Sequence, residues 1–339
     1  MDSFLGEVAI ASVTCYVASG LWFWTEHRGN MQNSVIDLIG NTPLVPLRRL
    51  VPSGHARVLI KLESANPTGS MKDRAALAIV RGAAQGARLQ PGDTIVECTS
   101  GSTGTSLANV AVALGYKCLL VSSDAFSMEK LLHMQALGAD LQILPSDNKK
   151  ITVDLVTALI ETSRQLSQQP GHFWADQFNN ADVLTGYAAL GNEIWTQTEG
   201  RIDAFVQGVG TGGSLRGTAE ALRLHDPAIR MVAVEPAESP VLSGGAPGAN
   251  LIEGIGMGYV VPLWKPGLAD EIIPVSATDA MAMSRLLARE EGLFGGTSSG
   301  ANVVAALRLA EKLGPQATIV TLMCDSGIKY LSTEVYKIH

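Results

Sequence analysis

The chain has 339 residues, 46% of them hydrophobic and 17% charged, with a formal net charge of −7. That length and apolar content suit a buried core organised as about two domains. With no basic run, the chain lacks the clustered Lys and Arg that neutralising nucleic-acid phosphate requires. The four cysteines (Cys15, Cys98, Cys118, Cys324) lie far apart with no C-x-x-C pair, and the six histidines show no H-E-x-x-H. This argues against a disulfide scaffold or a zinc ribbon, leaves no metal site visible, and fits a reducing, cytoplasmic compartment.

The first element is a hydrophobic segment within residues 1–30. From Phe4 to Trp24 the only formal charge is Glu7, and the run ends in Leu21-Trp22-Phe23-Trp24. About 20 apolar residues can span a bilayer, and aromatic residues favour its interface. Glu7, Ser12, Thr14, Ser19 and Gly20 dilute the hydrophobicity, so two readings stay open: membrane association through residues 4–24, or a loosely docked tail. No basic n-region marks a cleaved secretory signal.

Val58 to Leu62 reads as a strand and Ala75 to Gly82 as a helix, with Asn66-Pro67-Thr68-Gly69 breaking the chain between them. Lys72 therefore lies at a strand-to-helix corner, where α/β enzymes place reactive groups. Asp73 and Arg74 read as structural charges beginning the helix. Thr94–Cys98, Cys118–Val121 and Leu141–Leu144 are short apolar runs. Between them, Thr105–Leu114 reads as a helix ended by Gly115, and Ser127 as the N-cap of a helix carrying Leu131, Leu132 and Met134. Such alternation with short connections predicts right-handed βαβ units and a parallel sheet. A helix over Val183–Trp195 precedes a second set: strand Ala204–Val206, helix Leu215–Leu224 and strand Met231–Val234. The segment 239–258 is too rich in glycine for a regular element. Helices over Ala277–Glu291 and Ala301–Leu313 and the strand Thr318–Met323 complete the pattern.

Three blocks carry chemistry. Lys72 supplies an amine, Thr99-Ser100-Gly101-Ser102-Thr103-Gly104 a small-hydroxyl loop, and Gly210-Thr211-Gly212-Gly213-Ser214 a glycine turn opening a helix. Free N–H groups and the positive dipole end make such a helix start a phosphate site. The spacing Gly208-x-Gly210-x-x-Gly213, with Glu235 ending the next strand, also matches a dinucleotide fingerprint and keeps a nicotinamide oxidoreductase in view. That fingerprint normally opens its domain, and it leaves the other two blocks without a task. An amine, a hydroxyl loop and a phosphate cradle together point to pyridoxal 5′-phosphate.

In that order, and with Ile39–Leu44, Ser239–Gly245, Glu253–Gly256, Gly296–Gly300 and Cys324–Gly327, the blocks resemble the fold-type II pyridoxal-phosphate enzymes. Within these the chain is similar to the cysteine synthase and cystathionine β-synthase family from about Ser34 to Tyr330. The resemblance implies an α/β, tryptophan synthase β-like fold of two domains with twisted, mostly parallel sheets flanked by helices. Residues 31–77 and 184–339 would form the large cofactor-binding domain and residues 78–183 a small inserted one. Met31 lies where shorter members would begin. A homodimer is implied.

By the same resemblance Lys72 forms the Schiff base and then serves as the Cα base. Thr99, Ser100, Gly101 and Thr103 with Gln177 hold an amino acid's α-carboxylate. Gly210, Thr211, Gly212, Gly213 and Ser214 cradle the cofactor phosphate, and Ser298 faces the pyridine nitrogen. Ser102 stands where cysteine synthase-like members usually carry an Asn that reaches the cofactor's 3′-oxygen. A neutral hydroxyl at the ring nitrogen makes a weaker electron sink than a protonated ring, favouring loss of a β-substituent. The implied reaction is β-replacement on an activated serine such as O-acetylserine through an aminoacrylate, with sulfide or another nucleophile. β-Elimination, as in a cysteine desulfhydrase, stays open, as does a non-catalytic binding protein that kept the fold.

Overall fold

Strand runs that are apolar on both faces set the architecture, because they can be buried only between two helical layers. In a computed structural model, which describes residues 32–148 and 152–337, strands and helices alternate along the chain. First come β1 (Leu44–Pro46), β2 (Arg57–Leu62), α1 (Lys72–Gln85), β3 (Thr94–Cys98), α2 (Ser102–Leu114) and β4 (Lys117–Ser123). Next are α3 (Met128–Ala136), β5 (Asp140–Leu144), α4 (Val153–Leu166), β6 (His172–Trp174), α5 (Val183–Gln197) and β7 (Ala204–Gly208). The chain closes with α6 (Gly213–His225), β8 (Arg230–Pro236), β9 (Glu271–Val275), α7 (Ala277–Leu286), α8 (Thr297–Leu313) and β10 (Thr318–Met323). The hydrophobic run Phe4–Trp24 lies outside the described residues. Among the described residues no helix is long and apolar enough to cross a membrane.

The strands form a six-stranded sheet in the order β1-β2-β10-β7-β8-β9 and a four-stranded sheet in the order β5-β4-β3-β6. Every pairing is parallel except β1 with β2. The mixed α/β fold with mostly parallel sheets is the one expected. Side chains of the larger sheet alternate with period two between two cores. Leu59, Phe205, Met231, Ala233, Val320 and Leu322 join the cluster that includes residues of α1, α5 and α6. Val58, Ile60, Ala204, Val206, Val232, Val234 and Ile319 join the cluster under α7 and α8.

β3 and β10 have the bounds read from sequence, whereas α1 and α2 begin three residues earlier than expected and α8 four. The first turns of α2 and α8 are Ser, Thr and Gly, which carry no apolar periodicity, so the pattern begins late. Ser127 does precede α3, but its hydroxyl makes no cap hydrogen bond.

A buried ionic network joins β2, α1 and α5. Arg74 Nε lies 2.7 Å from Glu63 Oε2, and its Nη1 and Nη2 each lie 2.7 Å from Glu193. Lys61 Nζ donates to Glu193 Oε2 at 2.7 Å, the Thr42 carbonyl at 2.6 Å and Gln197 Oε1 at 2.9 Å. Two cations face two carboxylates, and all three ammonium donors are used. Removing one member strands the others in low dielectric. Arg74→Met is therefore expected to lower stability by about 3–5 kcal/mol in denaturant unfolding. A loss below about 1 kcal/mol would show that the network is not structural.

Candidate functional site

The site is built where three neighbouring parallel strands end, since β10 lies between β2 and β7. Ligands of open α/β sheets sit beyond such carboxyl ends. β2 leads into the turn before Lys72, β7 into Gly210–Ser214, and β10 into Cys324 and Asp325. The amide of Met71 donates to the Cys324 carbonyl at 2.9 Å and that of Ser326 to the Gly69 carbonyl at 2.9 Å. The lysine turn is thereby stitched to the exit of β10.

Lys72 is the first residue of α1, directly after the turn at Met71. Burial holds its ammonium pKa below the ordinary lysine value, partly opposed by Cys324 and Asp325. Asp73, expected to be merely structural, is fully buried. Its carboxylate accepts from the Thr68 amide at 2.8 Å, the Thr68 hydroxyl at 2.5 Å and the Ser106 hydroxyl at 2.5 Å. It thus clamps the lysine turn onto α2, the helix opened by the hydroxyl loop.

Within that loop the residues diverge. Thr99 Oγ1 accepts from the amides of Gly101 and Gly104 at 2.9 and 3.0 Å, so it shapes the loop while keeping its own hydrogen to donate. Ser100 is exposed. Gly101, at φ +146°, has no room for a side chain, since a Cβ would lie 2.3 Å from Lys130 Cδ. Thr103 donates to Gln177 Oε1 at 2.7 Å, which brings together two residues 74 positions apart. Gln177 in turn donates through Nε2 to the Cys98 carbonyl at 3.0 Å. Beneath it Glu97 accepts the Gln177 amide at 3.0 Å, and burial pushes its carboxyl up to about 7. Ser102 points to Asp325 Oδ2, 3.4 Å away.

The glycine turn after β7 is tightly enclosed. A Cβ on Gly210 would stand 2.3 Å from the Gly254 carbonyl oxygen, and Gly212, the N-cap of α6, has φ +85°. The amides of the first helical turn have no intrahelical acceptor. Ser214 is buried and its Oγ lies 3.4 Å from Gln207 Nε2. Gly213 packs on Val183. Glu235, the acid of the dinucleotide reading, is buried and accepts the amides of Leu242 and Ser243 at 2.8 and 3.1 Å and the Ser243 hydroxyl. Those bonds occupy it in shaping the glycine-rich segment.

Ser298, in the first turn of α8, is buried. Several residues of this region had no role in the sequence reading. Asp325 Oδ2 accepts the Tyr330 hydroxyl at 2.7 Å, while its Oδ1 is buried without a hydrogen-bond partner. Lys130 pairs with Glu253 and lies over the Tyr330 ring, 4.5 Å from its centroid. Lys329 is buried with no hydrogen bond to its ammonium, and burial lowers its pKa as well. Nothing local marks Lys130, whose partner Glu253 is 123 positions away, or the pairing of Asp325 with Ser102, 223 positions away. A cleft of about 390 Å³ among Leu44, Arg57, Glu199, Arg201 and Thr318 lies at the opposite strand ends and touches none of these groups.

These residues fit pyridoxal phosphate: a half-buried amine with lowered pKa, a helix start with no space for side chains at Gly210, and hydroxyls on two sides. The comparisons agree. The profile of the family described as pyridoxal-phosphate dependent enzyme matches residues 35–325. A cysteine synthase of Staphylococcus aureus is 41% identical over 306 residues, covering 90% of this chain and 97% of its own length. The crystal structure of cysteine synthase from Entamoeba histolytica superposes with a TM-score of 0.85 at 35% identity, covering 94% of this chain and 95% of the other. That of O-ureido-L-serine synthase gives 0.84 at 37% identity, covering 91% and 96%.

Gly210→Ala tests the cradle. Its Cβ must displace the Gly254 carbonyl, so cofactor retention is expected to fall about tenfold, the cost of modest overpacking, in a protein that still folds. Equilibrium dialysis reads this out. Wild-type retention would place the phosphate elsewhere.

Proposed function

This chain belongs to the pyridoxal-phosphate-dependent enzyme family, and we propose that it catalyses β-replacement on an activated serine-type amino acid such as O-acetylserine. The observation that carries the reading is that Lys72 follows β2 on a turn tied to α2 through Asp73 and to the exit of β10 through Met71, while the Gly210–Ser214 helix start follows β7, the strand next to β10. When bound, the cofactor supplies an aldehyde for amine condensation and a ring that withdraws electrons from the substrate Cα.

Lys72 holds the cofactor and, once displaced by the substrate amine, takes the proton from Cα. Its burial favours the neutral amine that both tasks need. Thr99, Ser100, Gly101 and Thr103 bind the α-carboxylate. Thr99 retains a hydroxyl hydrogen to donate, and Gln177 is oriented by Thr103 and the Cys98 carbonyl. Hydrogen bonds from such donors to a carboxylate are charge-assisted and hold it in one orientation. Gly210, Thr211, Gly212, Gly213 and Ser214 hold the phosphate, Ser298 meets the ring nitrogen, and Ser102 lines the cofactor's 3′-oxygen side. The same reading divides the chain into a large cofactor-binding domain (31–77 and 184–339) and a small inserted one (78–183), and includes a homodimer in the cytoplasm.

The nucleophile is set near Ser102. Its hydroxyl is directed to Asp325 and is shorter than the amide expected there, which leaves space beside the substrate. A relative named cysteine synthase and one named O-ureido-L-serine synthase share this fold, consistent with one scaffold serving different nucleophiles. We expect acetate release from O-acetylserine, lost in Lys72→Ala, and capture of the β-carbon by an added nucleophile. Sulfide should not be clearly the best acceptor among thiols, amines and water: one lost hydrogen bond is worth about tenfold in rate, too little to abolish release of the β-substituent but enough to alter which nucleophile fits beside Ser102. Release of a β-substituent from no activated serine would overturn the reading. Sulfide winning by orders of magnitude would overturn the role given to Ser102.

A further inference from the structure

The parallel pairing of β3 with β6 stops two rungs short of where its own pattern leads. Ala175 donates to the Val96 carbonyl at 3.0 Å. The next bonds of such a ladder would run from the Cys98 amide to the Ala175 carbonyl and from the Gln177 amide to the Cys98 carbonyl. Neither is made. Asp176 turns the backbone away at φ +46°, a left-handed conformation uncommon outside glycine. The Glu97 carboxylate takes both stranded amides, Cys98 on Oε1 at 2.8 Å and Gln177 on Oε2 at 3.0 Å. Side chains meet the two freed carbonyls: Asn180 Nδ2 donates to Ala175 and Gln177 Nε2 to Cys98, each at 3.0 Å. Glu97 is 1% exposed, so no bulk water can stand in for it.

We propose that Glu97 is a positioning residue: by replacing two rungs of the β3–β6 ladder it holds Gln177 out of the sheet and beside Thr103, where the Gln177 side chain meets the substrate's α-carboxylate. This rests on the assignment of Gln177 to that carboxylate. The Cys98 carbonyl fixes which end of the Gln177 amide is nitrogen, and Thr103 donates to the other end at 2.7 Å. One Nε2 hydrogen is then uncommitted among the described residues and free to donate to a ligand. Both Glu97 oxygens face N–H donors, so the geometry suits the ionised form; a protonated carboxyl would bring a third donor to two. Without those acceptors the two amides would be buried unpaired, and the ordinary ladder would draw Gln177 back toward Cys98.

The test measures two dissociation constants, that of the cofactor and that of L-alanine, which has no β-substituent to lose. Alanine is titrated into the cofactor-loaded enzyme and followed by the absorbance of the bound cofactor, with thermal unfolding as the check on folding. Burial raises the Glu97 carboxyl to about 7, so the titration is run at about pH 9, where it is ionised. Gln177→Ala must weaken alanine binding. If it does not, Gln177 is not at the carboxylate, and the proposal falls with its premise. Given that loss, Glu97→Met, which keeps the volume without an acceptor, should weaken alanine binding about two- to tenfold, the range for one hydrogen bond, and leave cofactor binding unchanged. In the Gln177→Ala background Glu97→Met should add nothing, because its effect passes through Gln177. Glu97→Gln, which sets an N–H against one of the two amides, stands in if the methionine variant fails to fold and is read against the same expectation. Unchanged alanine binding in the folded variant, or an equal loss in both backgrounds, overturns the role of Glu97.

Discussion

The carboxylate of Asp73 is the constraint on which the site depends. One residue beyond Lys72, it is buried and accepts three hydrogen bonds, two from Thr68 in the lysine turn and one from Ser106 in α2. Burial raises its pKa, and those three bonds pull the other way, favouring the charged form. A buried carboxylate is tolerable only when its acceptor capacity is met. Folding the lysine turn against α2 meets it. The amine at the end of β2 and the hydroxyl loop at the end of β3 therefore come into register through a single side chain, although they belong to different sheets.

Two further side chains extend this arrangement to the remaining strand ends. Asn302 ties the last amide of β7 to the exit of β10, linking the strand before the glycine turn to Cys324. Asn66 accepts the Gly40 amide at 2.9 Å and donates to Glu63, linking the N-terminal motif to the network that anchors α1. Each link pays the desolvation of its polar groups with hydrogen bonds, and each joins segments that are neighbours in space alone. The site is thus held by polar ties within an apolar frame, which suits a place that must present unpaired donors to a ligand.

Much of this was legible in the sequence. β10 and β3 are apolar runs ended by small or polar residues, so their limits were visible. The lysine turn, the hydroxyl loop and the glycine turn announce themselves by breaking periodic segments. Ser102 and Ser298 were found but placed ahead of their helices, because a first turn without apolar residues does not look helical. β1 and β6 have three residues each and give no period to detect, while Pro274 disguises β9, which survives as an edge strand. Asp73, Asn302 and Asp325 looked like ordinary polar residues. Their importance lies in partners brought together only by the finished sheets.

Four lysines are half-buried or more around this frame, and they differ in partners. Lys61 and Lys130 are committed to carboxylates, whereas the ammonium groups of Lys72 and Lys329 have no hydrogen bond and both have lowered pKa values. What sets Lys72 apart is its position at the end of β2, beside the exit of β10 and the hydroxyl loop. The most direct measurement is borohydride reduction of the cofactor-loaded enzyme followed by peptide mapping. The account predicts the pyridoxyl group on Lys72 alone, and its recovery on Lys329 or any other lysine would contradict it.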